Sequence, residues 1–201
     1  KDCGYDVYFQ VLNAKDYGIP QSRERIYCIG FKNETEFKYP APIKLDKTVY
    51  DFLQNRFDKK YLLKQKGVHF ITRAINYQKS YTQVNGNIIL CQKRNQQFNW
   101  HGDFVYHPKL KEDTSTPETD PNLFKVADFE EDYYLQNNPA KYAIKREGDE
   151  EMMFKASDKE IDPSYGRFRK LTPRECLRLM GFDDTFNIVV SDTETYKQAG
   201  N

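Results

Sequence analysis

Residues 17–31 read YGIPQSRERIYCIGF and place three polar side chains at alternating positions directly before an apolar run. A glycine and a proline interrupt regular structure, and the run that follows Arg25 is typical of a short buried β-strand. Side chains two residues apart in an extended segment share a face. Gln21, Arg23 and Arg25 are therefore predicted to present one amide and two guanidinium groups together at the entrance of this strand.

This row of side chains has two interpretations. A guanidinium group donates paired hydrogen bonds, so two of them beside an amide suit a phosphate or the polar edge of a base. A solvated rim of a β-hairpin would show the same pattern. The residues of the row leave both interpretations open.

The composition is that of a polar chain with a wet surface. The sequence has 201 residues, of which 38% are apolar and 15% aromatic, and its mean hydropathy is −0.87. This length suffices for one large or two small domains. No apolar stretch approaches the roughly 18 residues of a membrane span, and no signal-peptide pattern is present. We therefore expect a cytoplasmic protein without a membrane partner. Because the chain begins with Lys and ends on YKQAGN, we also expect it to be part of a longer protein.

The cysteines indicate neither a metal site nor a disulfide framework. The four are scattered, without a CxxC pair and without a histidine at ligand spacing; they are Cys3, Cys28, Cys91 and Cys176. Cys28 in the apolar strand pattern and Cys176 in the late helix are predicted to be core positions, and Cys3 and Cys91 lack a nearby histidine or glycine-rich turn that would activate them. We interpret all four as structural or incidental thiols and expect no metal.

The net charge of +1 conceals a strong internal asymmetry. Residues 43–111 hold 13 basic and 4 acidic side chains, whereas residues 112–162 hold 6 basic and 15 acidic ones. A polyanion would dock on the basic segment. Charge runs are usually solvated faces, so this observation alone favours nucleic acid only modestly.

Several further elements can be placed from their patterns. Residues 5–13 are predicted to form a strand that pairs with residues 25–31. A short helix is predicted over 48–54, strands over 68–75 and 87–92, and a helix over 123–138. The clearest helix follows Thr172, which is a predicted N-cap, with proline at the first helical position and Glu175 completing a capping box. Gly181 is predicted to end it.

Two separate segments resemble the DNA cytosine-5 methyltransferases. YGIPQSRERIYCIGF is similar to the Gln-x-Arg-x-Arg motif of that family. RKLTPRECLRLMGFDDTF, followed by YKQAGN, is similar to its late helix and the start of its last motif. The two segments occur in the family's order, separated by a variable stretch of suitable length. The stretch between them corresponds by position to the family's target-recognition domain.

The resemblance implies roles for individual residues. Arg25 would bind the carbonyl oxygen of a cytosine flipped out of the helix, with Arg23 alongside and Gln21 bracing the loop near the DNA. Asn201 would lie near S-adenosylmethionine, the methyl donor. The family's nucleophile is a cysteine after proline, and neither a Pro-Cys pair nor the family's Glu-Asn-Val segment or glycine-rich cofactor turn occurs in this sequence. We therefore expect this chain alone to be inactive and to need a separate catalytic segment as a partner.

The candidates for reading DNA come from the residues of the middle segment itself. Residues 91–104 concentrate side chains that form paired hydrogen bonds with guanine or adenine in the major groove. These are Gln92, Lys93, Arg94, Asn95, Gln96 and Gln97. A polar loop beside a packing tryptophan is the alternative, and the pattern does not separate the two. Phosphate contacts that position without specifying are assigned to Lys64, Lys66 and Arg73.

Together these observations predict an α/β fold: the end of a Rossmann-like methyltransferase sheet with an inserted mixed α/β target-recognition domain. Residues 1–40 would close the catalytic sheet, 41–165 would bind double-stranded DNA, and 166–201 would return to the catalytic domain. The predicted function is recognition of DNA by a cytosine-5 methyltransferase of bacterial restriction–modification. A separate specificity subunit and an RNA-directed relative remain as alternatives.

Overall fold

The computed structural model describes residues 4–71, 74–95, 100–107, 110–112, 123–126 and 167–201. Within them the strands are β1 (Asp6–Asn13), β2 (Glu24–Phe31), β3 (Arg56–Asp58), β4 (Thr82–Val84), β5 (Gly102–His107), β6 (Leu110–Glu112), β7 (Leu123–Val126) and β8 (Arg167–Lys170). The α-helices are α1 (Gln65–Ile71), α2 (Ala74–Gln78), α3 (Pro173–Arg178) and α4 (Asp192–Gly200). Short 3-10 helices cover Ala14–Tyr17, Val49–Phe52 and Lys59–Tyr61.

The opening segment is the antiparallel hairpin that its pattern predicts, but the burial predicted for the run after Arg25 is wrong. Residues 24–28 of this strand are exposed, Cys28 among them, because a two-stranded hairpin has no second layer of its own. β1 and β2 pair from Asp6 with Phe31 to Asn13 with Glu24. The turn between them contains the 3-10 helix Ala14–Tyr17, which ends at Gly18 with a left-handed φ of 85°. Glycine adopts this conformation without steric cost, so the chain can reverse here and deliver the polar row to the start of β2.

The remaining strands form two small sheets of mixed orientation. β5 lies between β4, which runs parallel to it, and β8, which runs antiparallel. β7 lies between β3 and β6 and is antiparallel to both. The mixed α/β architecture agrees with the sequence-based expectation. β8 belongs to the predicted returning segment 166–201, yet it hydrogen-bonds to β5 within 41–165, so the two segments share a sheet.

The structure differs from the predicted local elements at several positions in the middle of the chain. Residues 68–75 were predicted as a strand and this is wrong, because α1 covers 65–71 and α2 covers 74–78. The predicted helix at 123–138 is wrong at its start, where β7 covers 123–126, and its remainder lies outside the described residues. The strand predicted at 87–92 is wrong, because residues 87 and 88 lie in a bend and the segment contributes only the isolated bridge from Ile89 to Gln21. The predicted helix at 48–54 is confirmed as a single 3-10 turn.

The late helix matches its local signals closely. The Thr172 hydroxyl accepts a hydrogen bond from the backbone N–H of Glu175, and the Glu175 carboxylate accepts one from the backbone N–H of Thr172, so the capping box is complete. Gly181 has a φ of 90° just beyond the helix end. Buried side chains of α3 and α4 then pack with Val49, Ile89 and Val105 in one core. A second core joins α1 to β4, β5 and β8 through Val68, Ile71, Val84, Phe104 and Phe168.

No helix in the described ranges is long and apolar enough to cross a membrane.

Candidate functional site

The polar row is fixed at the start of β2 by backbone pairing to a distant segment. Ser22 donates to the carbonyl of Ile89 at 2.9 Å, and Ile89 donates to the carbonyl of Pro20 at 2.9 Å. The side chain of Asn13 accepts from the backbone N–H of Arg23 at 3.0 Å, which closes the turn from β1. Backbone hydrogen bonds to Ile89 and the side chain of Asn13 therefore fix the start of β2 independently of the side chains of Gln21, Arg23 and Arg25.

Gln21 lies inside the protein and is only 1% exposed. Its Nε2 donates to the carbonyl of Leu179 at 2.8 Å, beyond the end of α3, and its Oε1 accepts from the backbone N–H of Gln92 at 3.1 Å. A buried amide with protein partners for both its donor and its acceptor holds segments together. This geometry fits the bracing role that the resemblance implies.

Arg23 connects three parts of the chain by hydrogen bonds. Its guanidinium group donates to the carbonyl of Asn201 at 2.9 Å and to the carbonyl of Gln92 at 3.3 Å. The same group approaches Cys91 Sγ at 3.7 Å. The planar fork of arginine can serve several acceptors at once, so this half-buried side chain ties β2 to the 91–95 segment and to the end of α4.

Arg25 is exposed and makes fewer contacts. It donates to the carbonyl of its neighbour Glu24 at 2.6 Å and to Cys91 Sγ at 3.6 Å. Guanidinium carries five N–H donors, so Arg25 keeps donors available for a ligand. The two arginines of the motif thus differ: Arg23 faces the protein and Arg25 faces solvent.

A cleft of about 380 Å³ opens beside this row. Its lining combines the two guanidinium groups with tyrosine and aliphatic side chains; it consists of Leu12, Asn13, Ala14, Tyr17, Ile19, Gln21, Arg23, Arg25, Tyr27, Pro40, Leu179 and Met180. A cavity of this size accommodates a small organic ligand. Cations on an aromatic and aliphatic wall can hold a planar base or an anion there.

The segment that begins at Cys91 divides between core and surface. Gln92 is 2% exposed and donates from Nε2 to the carbonyl of Cys176 at 3.1 Å. The next three residues, Lys93, Arg94 and Asn95, are exposed, and Gln96 and Gln97 lie outside the described residues. Gln92 is therefore buried and connects this segment to α3, whereas the side chains of its three neighbours are exposed to solvent.

Gly200 allows this segment to lie directly on the end of α4. A Cβ atom at Gly200 would be 2.2 Å from the backbone nitrogen of Arg94 and 2.3 Å from the carbonyl carbon of Lys93. Backbone cannot yield at such distances, so the approach requires glycine. The backbone of Lys93 and Arg94 consequently lies beside the end of α4, where the carbonyl of Asn201 accepts a hydrogen bond from Arg23.

Asp103 holds the start of the same segment. Its Oδ2 accepts from the backbone N–H of Leu90 at 3.0 Å, while its Oδ1 is buried without a hydrogen bond among the described residues. Burial raises the pKa of the Asp103 carboxyl well above its ordinary value, and the Leu90 hydrogen bond and the charge of Lys93 oppose that rise. Sequence reasoning missed this residue, because an acidic side chain within a strand gives no local sign of burial.

The predicted phosphate contacts lie at α1. Lys64 and Lys66 are both exposed at the start of this helix, and Arg73 lies outside the described residues. Val68 and Ile71 of the same helix are fully buried. With 3.6 residues per turn, Lys66 lies on the side of α1 away from these two residues, whereas Lys64 directly precedes the helix.

The groups of interest for a ligand among the described residues are those that could hold a metal ion or the methyl donor. The described ranges contain no group of three or more His, Cys, Asp or Glu side chains that could hold a metal ion. Asn201, the residue expected near the methyl donor, is exposed directly after α4. Its carbonyl accepts a hydrogen bond from Arg23 at 2.9 Å.

Comparison with solved structures identifies the type of fold. A methyltransferase of Entamoeba histolytica, EhMeth, superposes with a TM-score of 0.59 at 14% identity, over 100% of this chain and 50% of that one. The DNMT2 of Spodoptera frugiperda superposes with a TM-score of 0.58 at 16% identity, over 99% of this chain and 54% of that one. Identities this low show the fold alone, and that fold is of the Rossmann-like methyltransferase type.

Sequence comparison identifies the family within this class. The model of the C-5 cytosine-specific DNA methylases matches residues 1–201. The type II methyltransferase M.NlaX of Neisseria lactamica is 31% identical over 202 residues, which are 100% of this chain and 49% of the relative. M.SsoII of Shigella sonnei is 32% identical over 206 residues, or 42% of its length. The chain belongs to the C-5 cytosine-specific DNA methylase family, and it spans about half the length of these curated relatives.

Proposed function

We propose that the protein carrying this chain transfers a methyl group to C5 of cytosine in duplex DNA, within bacterial restriction–modification in the cytoplasm. In this proposal the chain supplies the DNA-recognition part and the arginine row of the active site. The observation that carries the proposal is the division of labour in that row. Arg23 is committed to the protein, whereas Arg25 is exposed beside a cleft with donors to spare.

The target base must leave the stack before its ring can be attacked, and an enzyme must hold it there. We assign this holding to Arg25, whose donors would bind the cytosine carbonyl oxygen and the flanking phosphate. Arg23 would hold β2, the 91–95 segment and the end of α4 in fixed relative positions while Arg25 binds the nucleotide. Gln21 and Gln92 would brace the junction from inside rather than contact DNA.

The recognition residues are proposed from their exposure. Lys93, Arg94 and Asn95 would reach the DNA together with Gln96 and Gln97, which continue the same segment. Lys64, Lys66 and Arg73 would contact phosphates and so position the duplex without reading its sequence. We keep 41–165 as the recognition domain, flanked by the catalytic segments 1–40 and 166–201.

The rest of the catalytic apparatus would come from the remainder of the fold. S-adenosylmethionine would supply the methyl group, and in this chain the exposed end of α4 at Asn201 suits a contact with it. The thiolate nucleophile that such chemistry requires would come from a Pro-Cys loop, which this sequence does not contain. The chain alone is therefore expected to be inactive.

The hairpin β1–β2 is the proposed contact with that remaining half. Phe9, Val11 and Ile26 are 71%, 59% and 64% exposed, and the strand register places them on one face. A two-stranded hairpin with an open apolar face is marginally stable in water. Since the chain spans about half of its relatives, the occupant of this face would be the other half of the same methyltransferase fold.

The test is methylation by the full-length protein. Purified protein is incubated with radiolabelled S-adenosylmethionine and duplex DNA, single-stranded DNA or RNA, and the modified base is identified by mass spectrometry. We expect 5-methylcytosine in duplex DNA at a defined site. Preferential methylation of RNA would support the RNA-directed alternative. Activity only after addition of a separate catalytic chain would support a specificity subunit.

A further inference from the structure

Cys91 contacts both arginines of the row, although nothing in its sequence context marks it. Its Sγ lies 3.7 Å from one terminal nitrogen of Arg23 and 3.6 Å from one of Arg25. The thiol itself donates to the carbonyl of Gln92 at 3.7 Å. With its proton directed at a carbonyl, the sulfur presents its lone pairs to the guanidinium groups, and it is a weak but suitable acceptor.

The position of Cys91 is fixed on both sides along the chain. The backbone N–H of Leu90 donates to the buried carboxyl of Asp103 at 3.0 Å, and the backbone N–H of Gln92 donates to the buried amide of Gln21 at 3.1 Å. Two buried side chains from separate elements therefore hold the residues before and after it. A sulfur atom held in this way can orient a flexible neighbour.

Arg25 is the neighbour that depends on this anchor. Its other described hydrogen bond goes to the carbonyl of Glu24, the preceding residue, which moves with it. An arginine side chain has many rotamers, so an unanchored guanidinium group loses conformational entropy when a ligand fixes it. Arg23 does not share this dependence, because two backbone carbonyls from distant segments hold it as well.

We propose that Cys91 is a positioning residue that orients the guanidinium group of Arg25 toward the target nucleotide. This inference rests on the proposed function, since it assigns Arg25 the task of holding the flipped base. Cys91 and the Glu24 carbonyl each occupy one donor of Arg25, and its remaining donors are available for the base and its phosphate. It is not a nucleophile in this scheme and forms no covalent bond.

The principal test is a pair of substitutions in the full-length protein, Cys91→Ala and Cys91→Ser. Loss of one hydrogen bond from a charged donor to this weak acceptor should lower the single-turnover methylation rate at saturating DNA by about twofold to fivefold in Cys91→Ala. Serine keeps an acceptor and should retain most of the rate. The melting temperature of each variant, measured alongside, excludes a folding defect as the cause.

A double-substitution cycle separates positioning from general destabilisation. If Cys91 acts through Arg25, Arg25→Ala combined with Cys91→Ala should be no slower than Arg25→Ala alone. Independent effects that multiply would contradict the proposal, because coupled residues are non-additive and unrelated ones are not. A Cys91→Ala variant with the wild-type rate and KM would also overturn it.

A second measurement does not depend on methylation. Cys91 is labelled in the full-length protein with an anionic aromatic disulfide and with a neutral one of similar size, and the modified peptide is quantified by mass spectrometry. Adjacent guanidinium groups should favour the anionic reagent relative to free N-acetylcysteine, and Arg25→Ala should lower that preference by at least twofold. An unchanged preference in Arg25→Ala would refute the contact. If the wild type labels as expected but methylates no cytosine, the proposed function is wrong and the Cys91–Arg25 contact stands.

Discussion

Arg23 and Arg25 are two residues apart in one motif, and the fold gives them different tasks. Arg23 is half-buried and bound to carbonyls of Gln92 and Asn201, whereas Arg25 is exposed. Alternation in a strand would place both on one face, and nothing local distinguishes them. The difference arises from the 91–95 segment and α4, which approach Arg23 from far along the chain.

Substitution of Arg25 should therefore affect chemistry more than folding. In the full-length protein we expect Arg25→Ala to lower the single-turnover methylation rate by about 10²–10³, the usual effect of losing a charged donor in a closed site. Arg25→Lys should recover little, because an ammonium group cannot reproduce the planar fork. The melting temperature should change little in both.

Arg23→Ala is the matched comparison for that experiment. It removes hydrogen bonds to two distant backbone carbonyls, so it should lower the melting temperature as well as the rate. A near-normal rate in Arg25→Ala, or equal thermal destabilisation by the two alanine variants, would contradict the assignment of roles. Arg25 would then belong to a solvated hairpin rim.

Some residue-scale features could not have been predicted from sequence. Gln21 and Gln92 look like DNA-reading side chains, yet both are almost fully buried and bonded to segments up to 158 residues away. Polar side chains of this kind are equally suited to a groove and to a buried brace. Only tertiary contacts decide between the two, and a single sequence does not contain them.

Among the elements, those with strong local signals were predicted correctly. The hairpin followed from two apolar runs around a glycine–proline turn, and α3 followed from its cap, its first-turn proline and its terminal glycine. Helix α1 was missed because Val68, Phe70 and Ile71 also satisfy a strand pattern. The decisive spacing is that of Val68 and Ile71, which are three residues apart and share the buried face.

The exposed face of the hairpin leads to a prediction at this scale. If it packs on the other half of the fold, Phe9→Asp in the full-length protein should cost about 3 kcal/mol or more, since it loses an apolar contact and buries a charge. Ile75→Asp on α2 is the matched control, because Ile75 is 50% exposed outside the hairpin. A surface change of that kind usually costs less than about 0.5 kcal/mol. Equal unfolding free energies for the two variants in urea would show that the hairpin face stays open.

A buried network joins β3, β5, β8 and α3 and makes stability depend on pH. Arg169 forms a bidentate ion pair with Glu175 at 2.7 and 2.8 Å and donates to His107 Nε2 at 2.9 Å. Burial and the charge of Arg169 lower the pKa of His107 well below its ordinary value of 6.5. His107 is therefore neutral in the folded protein and takes up a proton on unfolding in mild acid.

Stability should consequently fall with acidity below about pH 6.5, by up to about 1.4 kcal/mol per pH unit from this group. The contribution of His107 is fully present above its unfolded pKa and is lost as the pH falls toward its folded value. His107→Gln keeps an acceptor for Arg169 but cannot be protonated, so its stability should depend less on pH between 6.5 and 5. Urea unfolding of both proteins at several pH values measures this, and parallel curves would rule out His107 as the source.

At the scale of the whole molecule, positive charge is concentrated in one segment of the chain. Residues 43–111 carry the basic excess, and within them Lys64, directly before α1, and Lys66, in its first turn, are exposed. The same range also contains Lys93 and Arg94, which the close approach at Gly200 brings to the end of α4. Composition predicted the basic region, but not that part of it lies against the arginine row. That placement depends on the fold returning α4 to the 91–95 segment.

Binding of DNA should therefore combine phosphate contacts with base contacts, and the salt dependence of the affinity should distinguish the two. Affinity of the full-length protein should fall steeply with ionic strength, because each neutralised phosphate releases counterions. Lys64→Ala should weaken binding about equally on all sequences and reduce the salt slope by about one, as expected for a phosphate contact. Arg94→Ala should instead relax the choice of site and cost about 1–3 kcal/mol on the cognate sequence, as expected for a guanidinium that reads a guanine edge. Salt titrations on cognate and random duplexes, with methylation mapped across a sequence library, compare the two variants. Should Arg94→Ala lower the salt slope and leave the site preference intact, Arg94 would be a phosphate contact, and the bases would be read by residues further along the recognition domain.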